Sequence, residues 1–417
     1  MHALIKGFQH VFCSDSHRAS HRRLAHRLAL AVLSIAALVA TSPYARADGD
    51  PPSLDPRANA LGGGGITFSA GSAGLGINPS LMQYTTGKGD FMSSAYLLHT
   101  RIDAPVSGPY THDSSSVYSP VGDFAAAWRL SPKLVVGIGL QPVTGAGANF
   151  HLAGGSQERA IFVVMEADAG VSYAVTKKLS IGAAYRPSYF SGNITQLAPG
   201  SFFRAVEART DFLGAVVGIQ YTPEPKTHLA VVYRTRITAK LDGTVTTPGG
   251  FFHGTSQYAS PDKISLGIDH HFLYDRLLLA SQGEILLYGA LPGTTYETVT
   301  TPMGTLSTPL VANDKNIYHI KVGAEFWVVP KLVAVRAGVY YGPNENNPAY
   351  VTSYAPYLGH TTAPTAGLGF RHGKMDIGAS VNWQIRGGAT VASTANGYPG
   401  KYSQGGVIAG AGVLYHF

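Results

Sequence analysis

The chain has 417 residues, a formal charge of +7, 13% charged residues, 50 glycines, 23 tyrosines and one cysteine. Its charged share is about half that of an ordinary soluble domain. No long apolar run follows the first forty residues, which excludes transmembrane helices there but not a transmembrane barrel. Lys6, Arg18, Arg22, Arg23, Arg27 and Arg46, offset by Asp15, take five of the seven positive charges. The +2 that remains beyond residue 47 is too little for the basic stripe of a nucleic-acid-binding protein.

In chain order, a basic stretch from His17 to Arg27 precedes the nearly all-apolar stretch from Leu28 to Ala40, and Ala45-Arg46-Ala47 stands before Asp48. Basic region, apolar core and small-x-small site predict a signal peptide over residues 1–47. About a dozen apolar residues is short for a membrane span, which needs about twenty. Cys13 precedes the apolar core, so the expected mature chain has no disulfide and no thiolate metal site. Residues 48–87 follow, with Gly62-Gly63-Gly64-Gly65, Gly71, Gly74, Gly76 and Asn78-Pro79-Ser80 and no sustained alternation. Forty irregular residues exceed an ordinary loop and predict a functional segment; the plainer alternative is a periplasmic tail.

From Lys88 onward, residues 88–417 alternate strand and turn. Strands are predicted over 88–102, 118–130, 133–145, 161–175, 178–191, 207–222, 225–241, 260–273, 276–290, 314–328, 331–343, 362–372, 374–387 and 404–417. Tight turns (Ser131-Pro132, Thr176-Lys177, Pro223-Glu224, Tyr274-Asp275, Val329-Pro330, Gly373) alternate strictly with long polar connections. Side chains alternate between the two faces of a strand. Leu134, Val136, Ile138 and Leu140 thus oppose Val135, Gly137, Gly139 and Gln141. Leu229, Val231, Tyr233 and Ile237 oppose His228, Arg234, Arg236 and Lys240, and Tyr318, Ile320, Val322, Ala324 and Phe326 oppose His319, Lys321, Gly323 and Glu325. Met375 to Arg386 and Val407 to Phe417 repeat the rule. One face is apolar throughout and the other collects the charges. The fold class is therefore all-β: a 14-stranded antiparallel transmembrane β-barrel with both ends in the periplasm. Its location is expected to be the outer membrane of a Gram-negative bacterium, amid lipid and lipopolysaccharide. The terminal aromatic Phe417 is the expected contact for the barrel-assembly machinery. A wall of this size encloses a real cavity, and residues 48–87 are the material available to plug it.

These residues resemble the FadL/TodX-type outer-membrane transporters of fatty acids and other hydrophobic compounds. Ala60-Leu61-Gly62-Gly63 followed by Gly76-Ile77-Asn78-Pro79-Ser80 is similar to their N-terminal hatch, with Ser80 where the family has Ala. Ile181 to Pro187, Val231-Val232-Tyr233-Arg234 and Val335 to Tyr340 resemble their Tyr-Arg and Arg-x-Gly strand motifs. The second to fourth outer connections are shorter than those with which well-known members build a surface capture site. The resemblance implies passive uptake of hydrophobic small molecules, leaving sideways through a gap made by a kink in the third strand. Gln141-Pro142-Val143-Thr144-Gly145 offers such a kink, since proline is confined to strand edges, ends or bulges; the alternative is that Pro142 ends the strand at the outer rim.

Arg186, Arg234, Lys321, Arg336 and Arg386 are candidate lumen residues for a ligand carboxylate. The alternative is that they pair across the barrel with Glu284, Glu325 and Asp376. No catalytic constellation or cofactor motif is expected. Ser72 lacks the strand and first glycine of a nucleophile elbow, no Gly-Lys-Ser/Thr follows the glycine run, and His270 and His271 point to opposite faces. An open diffusion porin for polar solutes and a structural or adhesive barrel are the other function classes compatible with the sequence.

Overall fold

The computed structural model describes residues 55–417 except 153–156, 196–201, 211–213, 248–249, 355 and 357, so the expected signal peptide lies outside the described residues. Fourteen antiparallel strands form the wall. They are β1 (Gly89–Ala104), β2 (Asp113–Arg129), β3 (Leu134–His151) and β4 (Gln157–Ala174). Next come β5 (Leu179–Tyr185, resuming as Ser188–Thr195), β6 (Phe202–Thr210, resuming as Ala215–Glu224), β7 (Thr227–Arg234, resuming as Ile237–Thr247) and β8 (Gly250–Ser260, resuming as Lys263–Phe272). β9 (Leu277–Leu286, resuming as Thr294–Thr301) and β10 (Gly304–Val311, resuming as Ile317–Val329) are joined by a hairpin at the end away from the tight turns. β11 (Val333–Pro343), β12 (His360–His372), β13 (Met375–Arg386) and β14 (Gly400–His416) complete the circuit. β14 pairs with β1 from Asp90↔His416 to Asp103↔Ser403, which closes the sheet. Among the described residues no helix is long and apolar enough to cross a membrane.

The strand order matches the sequence reading, and so do the tight turns, except that Pro223-Glu224 still belongs to β6 and the turn falls at Pro225-Lys226. Much of what reads as long outer connection is instead strand, because β3 runs on to His151 and β4 begins at Gln157. The predicted faces hold along most of the wall: Ile138, Leu229, Val231, Tyr233, Tyr318, Ile320 and Val322 are exposed, while His319, Lys321 and Glu325 are buried. One prediction needs correcting. β7 breaks at Thr235-Arg236, after which Ile237 is buried and Lys240 exposed, the reverse of their expected faces. β8 breaks beside it at Pro261-Asp262, and Asp262 ties the two breaks together. It accepts hydrogen bonds from the Arg236 backbone N–H (2.9 Å), Arg236 Nε (2.9 Å) and the Tyr233 hydroxyl (2.7 Å). The pairs Arg234↔Lys263 and Ile237↔Ser260 flank two unpaired residues on each strand, so the alternation is interrupted on both strands together and the side chains beyond emerge on the opposite faces.

The segment 55–88 lies against the buried face of the wall. It is not wholly irregular: α1 (Pro56–Ala60) and two 3-10 turns, Gly71–Gly74 and Pro79–Tyr84, organise it. Asp55 caps α1, accepting from the Arg57 N–H at 2.9 Å, and Asn78 caps the second turn, accepting from the Ser80 N–H at 3.1 Å. At the end away from the tight turns, Val106, Val351, Leu358 and Val391 of the long connections gather with the strand residues Ile102, Phe150 and Tyr402 into an apolar cluster.

The outward face sets a test. Ile320→Arg places a cation on the exposed side of β10, at a cost of about 2–4 kcal/mol if its depth is the bilayer midplane. Refolding into lipid vesicles in urea, followed by the mobility of the unheated band on gels, is expected to show that loss. An unchanged urea midpoint would refute a lipid-facing Ile320.

Candidate functional site

The inner segment is fixed to the wall by hydrogen bonds spread around the circuit. Arg57 forks onto Glu325 of β10 (Nε–Oε2 3.0 Å, Nη2–Oε1 2.8 Å), donates to the Phe68 carbonyl at 2.9 Å and lies over the Phe68 ring. Asn59 donates to Ser380 of β13 (3.0 Å), the Gly62 N–H to Thr365 of β12 (2.9 Å), and the Gly65 N–H to Gln282 of β9 (2.9 Å). On the other side the Ser72 N–H donates to Asp90 of β1 at 2.6 Å, and Ser172 of β4 donates to the Ser80 carbonyl at 3.1 Å.

Wall glycines stand where this segment comes closest. A Cβ on Gly323 or Gly338 would collide with Leu61 and Gly62, on Gly182 with Pro79 and Ser80, and on Gly218 with Asn78. Gly62 has φ +81° and sits against the carbonyls of Val322 and Val339, so both its conformation and the available space call for glycine. Gly63 donates to the Ala58 carbonyl (2.9 Å), and Asn78 Nδ2 donates to the Ile66 carbonyl (2.7 Å).

Gly76 leads to the third strand. The Gln141 amide occupies the position where a Cβ on Gly76 would stand, and Gln141 Nε2 donates to Asp168 Oδ2 at 2.5 Å. Pro142 opposes Met165 of β4 and Thr144 opposes Val164, which leaves Val143 as the extra residue of a bulge; Gly145 opposes Val163. The strand therefore bends at Pro142 and continues beyond it. Towards β2, the pairs run from Arg129↔Val135 to Phe124↔Leu140, then resume only at Ser115↔Phe150. Between those points β2 stays paired to β1, and β3, apart from the bulge, to β4. Pro120 and Pro142 flank this unpaired seam, and neither has an N–H to give a ladder.

A cavity of about 80 Å³ adjoins the end of the seam at Phe124 and Leu140. Ile66, Leu75 and Ile77 of the inner segment line it together with Leu140, Gln141, Pro142, Val216 and Val232 of the wall. Asp55, Asp123, Asp168, Arg234, Lys263, Glu284 and Lys321 are its charged lining, and five of them join buried ion clusters. Arg186 of β5 is fully buried and forms an ion pair with Glu166 of β4; Asp168 Oδ1 stands 3.4 Å from Arg186 Nε, and Arg234 Nη2 donates to Glu166 at 2.8 Å. Lys321 pairs with Glu284 at 2.8 Å, with Lys263 and His319 each 3.8 Å from the same carboxylate. Arg336 Nε donates to Glu325 at 2.7 Å, away from this cavity.

Of the five cations expected to hold a ligand, Arg186, Arg234, Lys321 and Arg336 thus each meet a carboxylate of the wall. Arg386 ends β13 with its backbone opposite Thr361, and Asp376 pairs with Arg371 (2.6 Å). The pairing across the barrel follows the scaffold reading for Glu284 and Glu325, though not for Asp376. Glu166 and Asp168 were missed in the sequence. Their signal was the alternation Met165-Glu166-Ala167-Asp168, which sets both carboxylates on one face of a strand.

No family model and no curated protein matches the chain. Solved structures do match. A FadL homologue of Pseudomonas aeruginosa superposes with TM-score 0.73 at 16% identity, covering 90% of this chain and all of its own. The toluene transporter TodX of P. putida gives 0.71 at 16%, covering 88% of this chain and 99% of its own. The toluene transporter TbuX of Ralstonia pickettii gives 0.68 at 17%, again covering 88% and 99%. The chain has the fold of these FadL-type barrels.

The Arg57–Glu325–Arg336 bridge yields a prediction. Glu325→Gln leaves two cations without their buried anion, and breaking such a pair costs about 3–5 kcal/mol. Faster amide hydrogen exchange over residues 55–70 is the expected result. Protection equal to that of the unaltered chain would show that the bridge does not hold this segment.

Proposed function

We propose that this protein is an outer-membrane channel for passive uptake of hydrophobic compounds, with residues 55–87 as a plug and the seam between β2 and β3 as a lateral exit. The observation carrying this reading is the juxtaposition of three features: a cavity of mixed apolar and charged lining beside the inner segment, a proline bulge at its rim, and an unpaired stretch of wall beginning at the same place. A gap in the ladder is costly where backbone groups face hydrocarbon, because each unsatisfied group costs several kcal/mol. Its persistence between two otherwise paired strands supports a passage rather than a defect. The FadL homologue and the toluene transporters that share the fold support the same class of cargo. The short turns lie at the end where β1 begins and β14 finishes, which supports a periplasmic position for both ends of the barrel.

The cargo favoured by the cavity is uncharged. The cations beside it already face Glu166, Asp168 and Glu284, so a ligand carboxylate would have to displace a buried anion. A hydrophobic ring needs only the apolar lining formed by Ile66, Leu75, Ile77, Leu140, Val216 and Val232.

Uptake of labelled toluene and labelled oleate by cells lacking their own transporters tests this. The unaltered protein is compared with a variant in which Val143 is deleted and Pro120 and Pro142 are both replaced by Val, restoring a continuous ladder. Toluene uptake is expected to exceed oleate uptake and to fall at least about tenfold in the sealed variant, which should still run as a folded barrel on unheated gels. Undiminished uptake by the folded variant would dismiss the lateral exit. Absence of uptake by the unaltered protein, with large steady ion conductance in planar bilayers, would instead assign an open porin.

A further inference from the structure

His228, Asp269 and His271 come together on the inner face of β7 and β8, close to the tight turns. Asp269 lies directly opposite His228 in the ladder, and His271 follows two residues along the same face of β8. One ligand atom from each of the three lies within 4.8 Å of the others. His228 Nδ1 and Asp269 Oδ1 are 2.7 Å apart, and the two imidazole rings meet edge to face at 5.8 Å. Asp269 is 1% exposed, and its second oxygen, Oδ2, is buried with no hydrogen-bond partner. A buried carboxylate oxygen left in that state is costly. A cation beside it would satisfy it.

We propose that these three side chains form a binding site for a divalent transition metal, of which Zn²⁺ is the best match. Two imidazoles and a carboxylate suit the borderline softness of zinc and are three-quarters of its usual tetrahedral set, leaving one position for water. Bonds of about 2.0–2.2 Å to each ligand require only that the three donors draw together from their present spacing. They sit on paired strands, not on a loop, so the frame is rigid. Metal binding at His228 Nδ1 requires the tautomer that carries its proton on Nε2, since the imidazole nitrogen binds metal without its proton. Both histidines are only partly buried, which leaves the site a path to the water at this end of the barrel. Tyr84, in the last turn of the inner segment, lies edge-on to His228 with ring centroids 6.0 Å apart, so the site lies beside the base of that segment. Neighbouring His270 is not part of the cluster; it points to the other face and engages Thr227 Oγ1 at 2.8 Å.

The test uses the detergent-purified barrel carrying a histidine-free tag, stripped by chelator and titrated with Zn²⁺ by calorimetry, and separately with Co²⁺ followed by its visible spectrum. One Zn²⁺ per chain and an intense tetrahedral-type Co²⁺ band are expected. His228→Ala and His271→Ala should each weaken Zn²⁺ binding at least about tenfold and abolish the band, and His270→Ala should leave both unchanged. Gel mobility of unheated samples establishes that each variant is folded. Failure of the unaltered protein to bind Zn²⁺ at micromolar concentration would overturn the proposal. So would binding that survives in folded His228→Ala and His271→Ala proteins.

Discussion

A chain that crosses a bilayer as strands must pair every backbone N–H and C=O with another strand, because hydrocarbon offers no alternative partner. Closure between β1 and β14 meets that requirement, and the rest of the architecture follows from it. Once the sheet is closed, one face of each strand meets lipid and the other encloses a volume that side chains alone do not fill. The inner residues are then chosen by what they touch. Glycine recurs where the backbone of residues 61–80 approaches the wall, and charge recurs in balanced sets where it does not. The departure from full pairing, between β2 and β3, is notable because the strands on either side obey the rule.

The buried charges explain why the interior holds its shape. Glu166 and Glu284 each gather two or more cationic or ionisable partners from different strands, and Glu325 gathers Arg336 of β11 and Arg57 of α1. Removing charged groups from water is repaid only when geometry satisfies them closely. Such clusters therefore specify one arrangement of the strands, and of the inner segment against them, more than they stabilise it. They also leave the cavity with little net preference for an anion. An interior that looks like a cation-lined receptor in the sequence becomes, once the carboxylates are placed, a chamber of mixed lining whose cations already meet anions.

The wall was legible in the sequence because lipid imposes a two-residue period on every strand, and the tight turns interrupt it at regular intervals. The face of Ile237 and Lys240 was not legible, since the paired breaks at Thr235-Arg236 and Pro261-Asp262 interrupt the alternation only where the two strands meet. Pro142 was readable as a kink, but the unpaired seam beside it belongs to the relation between β2 and β3. Likewise Gly76, Pro142 and Arg186 could be picked out singly. Their connection through Gln141 and Asp168 depends on β3 and β4 being neighbours and on the inner segment lying against them.

The same limit governs the histidines. Adjacent His270 and His271 look like a pair in the sequence, yet a strand turns them apart. The true neighbours of His271 are Asp269, two residues back, and His228, opposite Asp269 on the adjoining strand. In a barrel, chemistry that needs three convergent groups is assembled across the ladder, at separations set by register. The pleat gives i and i+2 on one strand a shared face, and the antiparallel partner supplies the third group. The seam, the neutralised chamber and the histidine cluster are three outcomes of one constraint: strand register decides which side chains can meet, and only then does their chemistry matter.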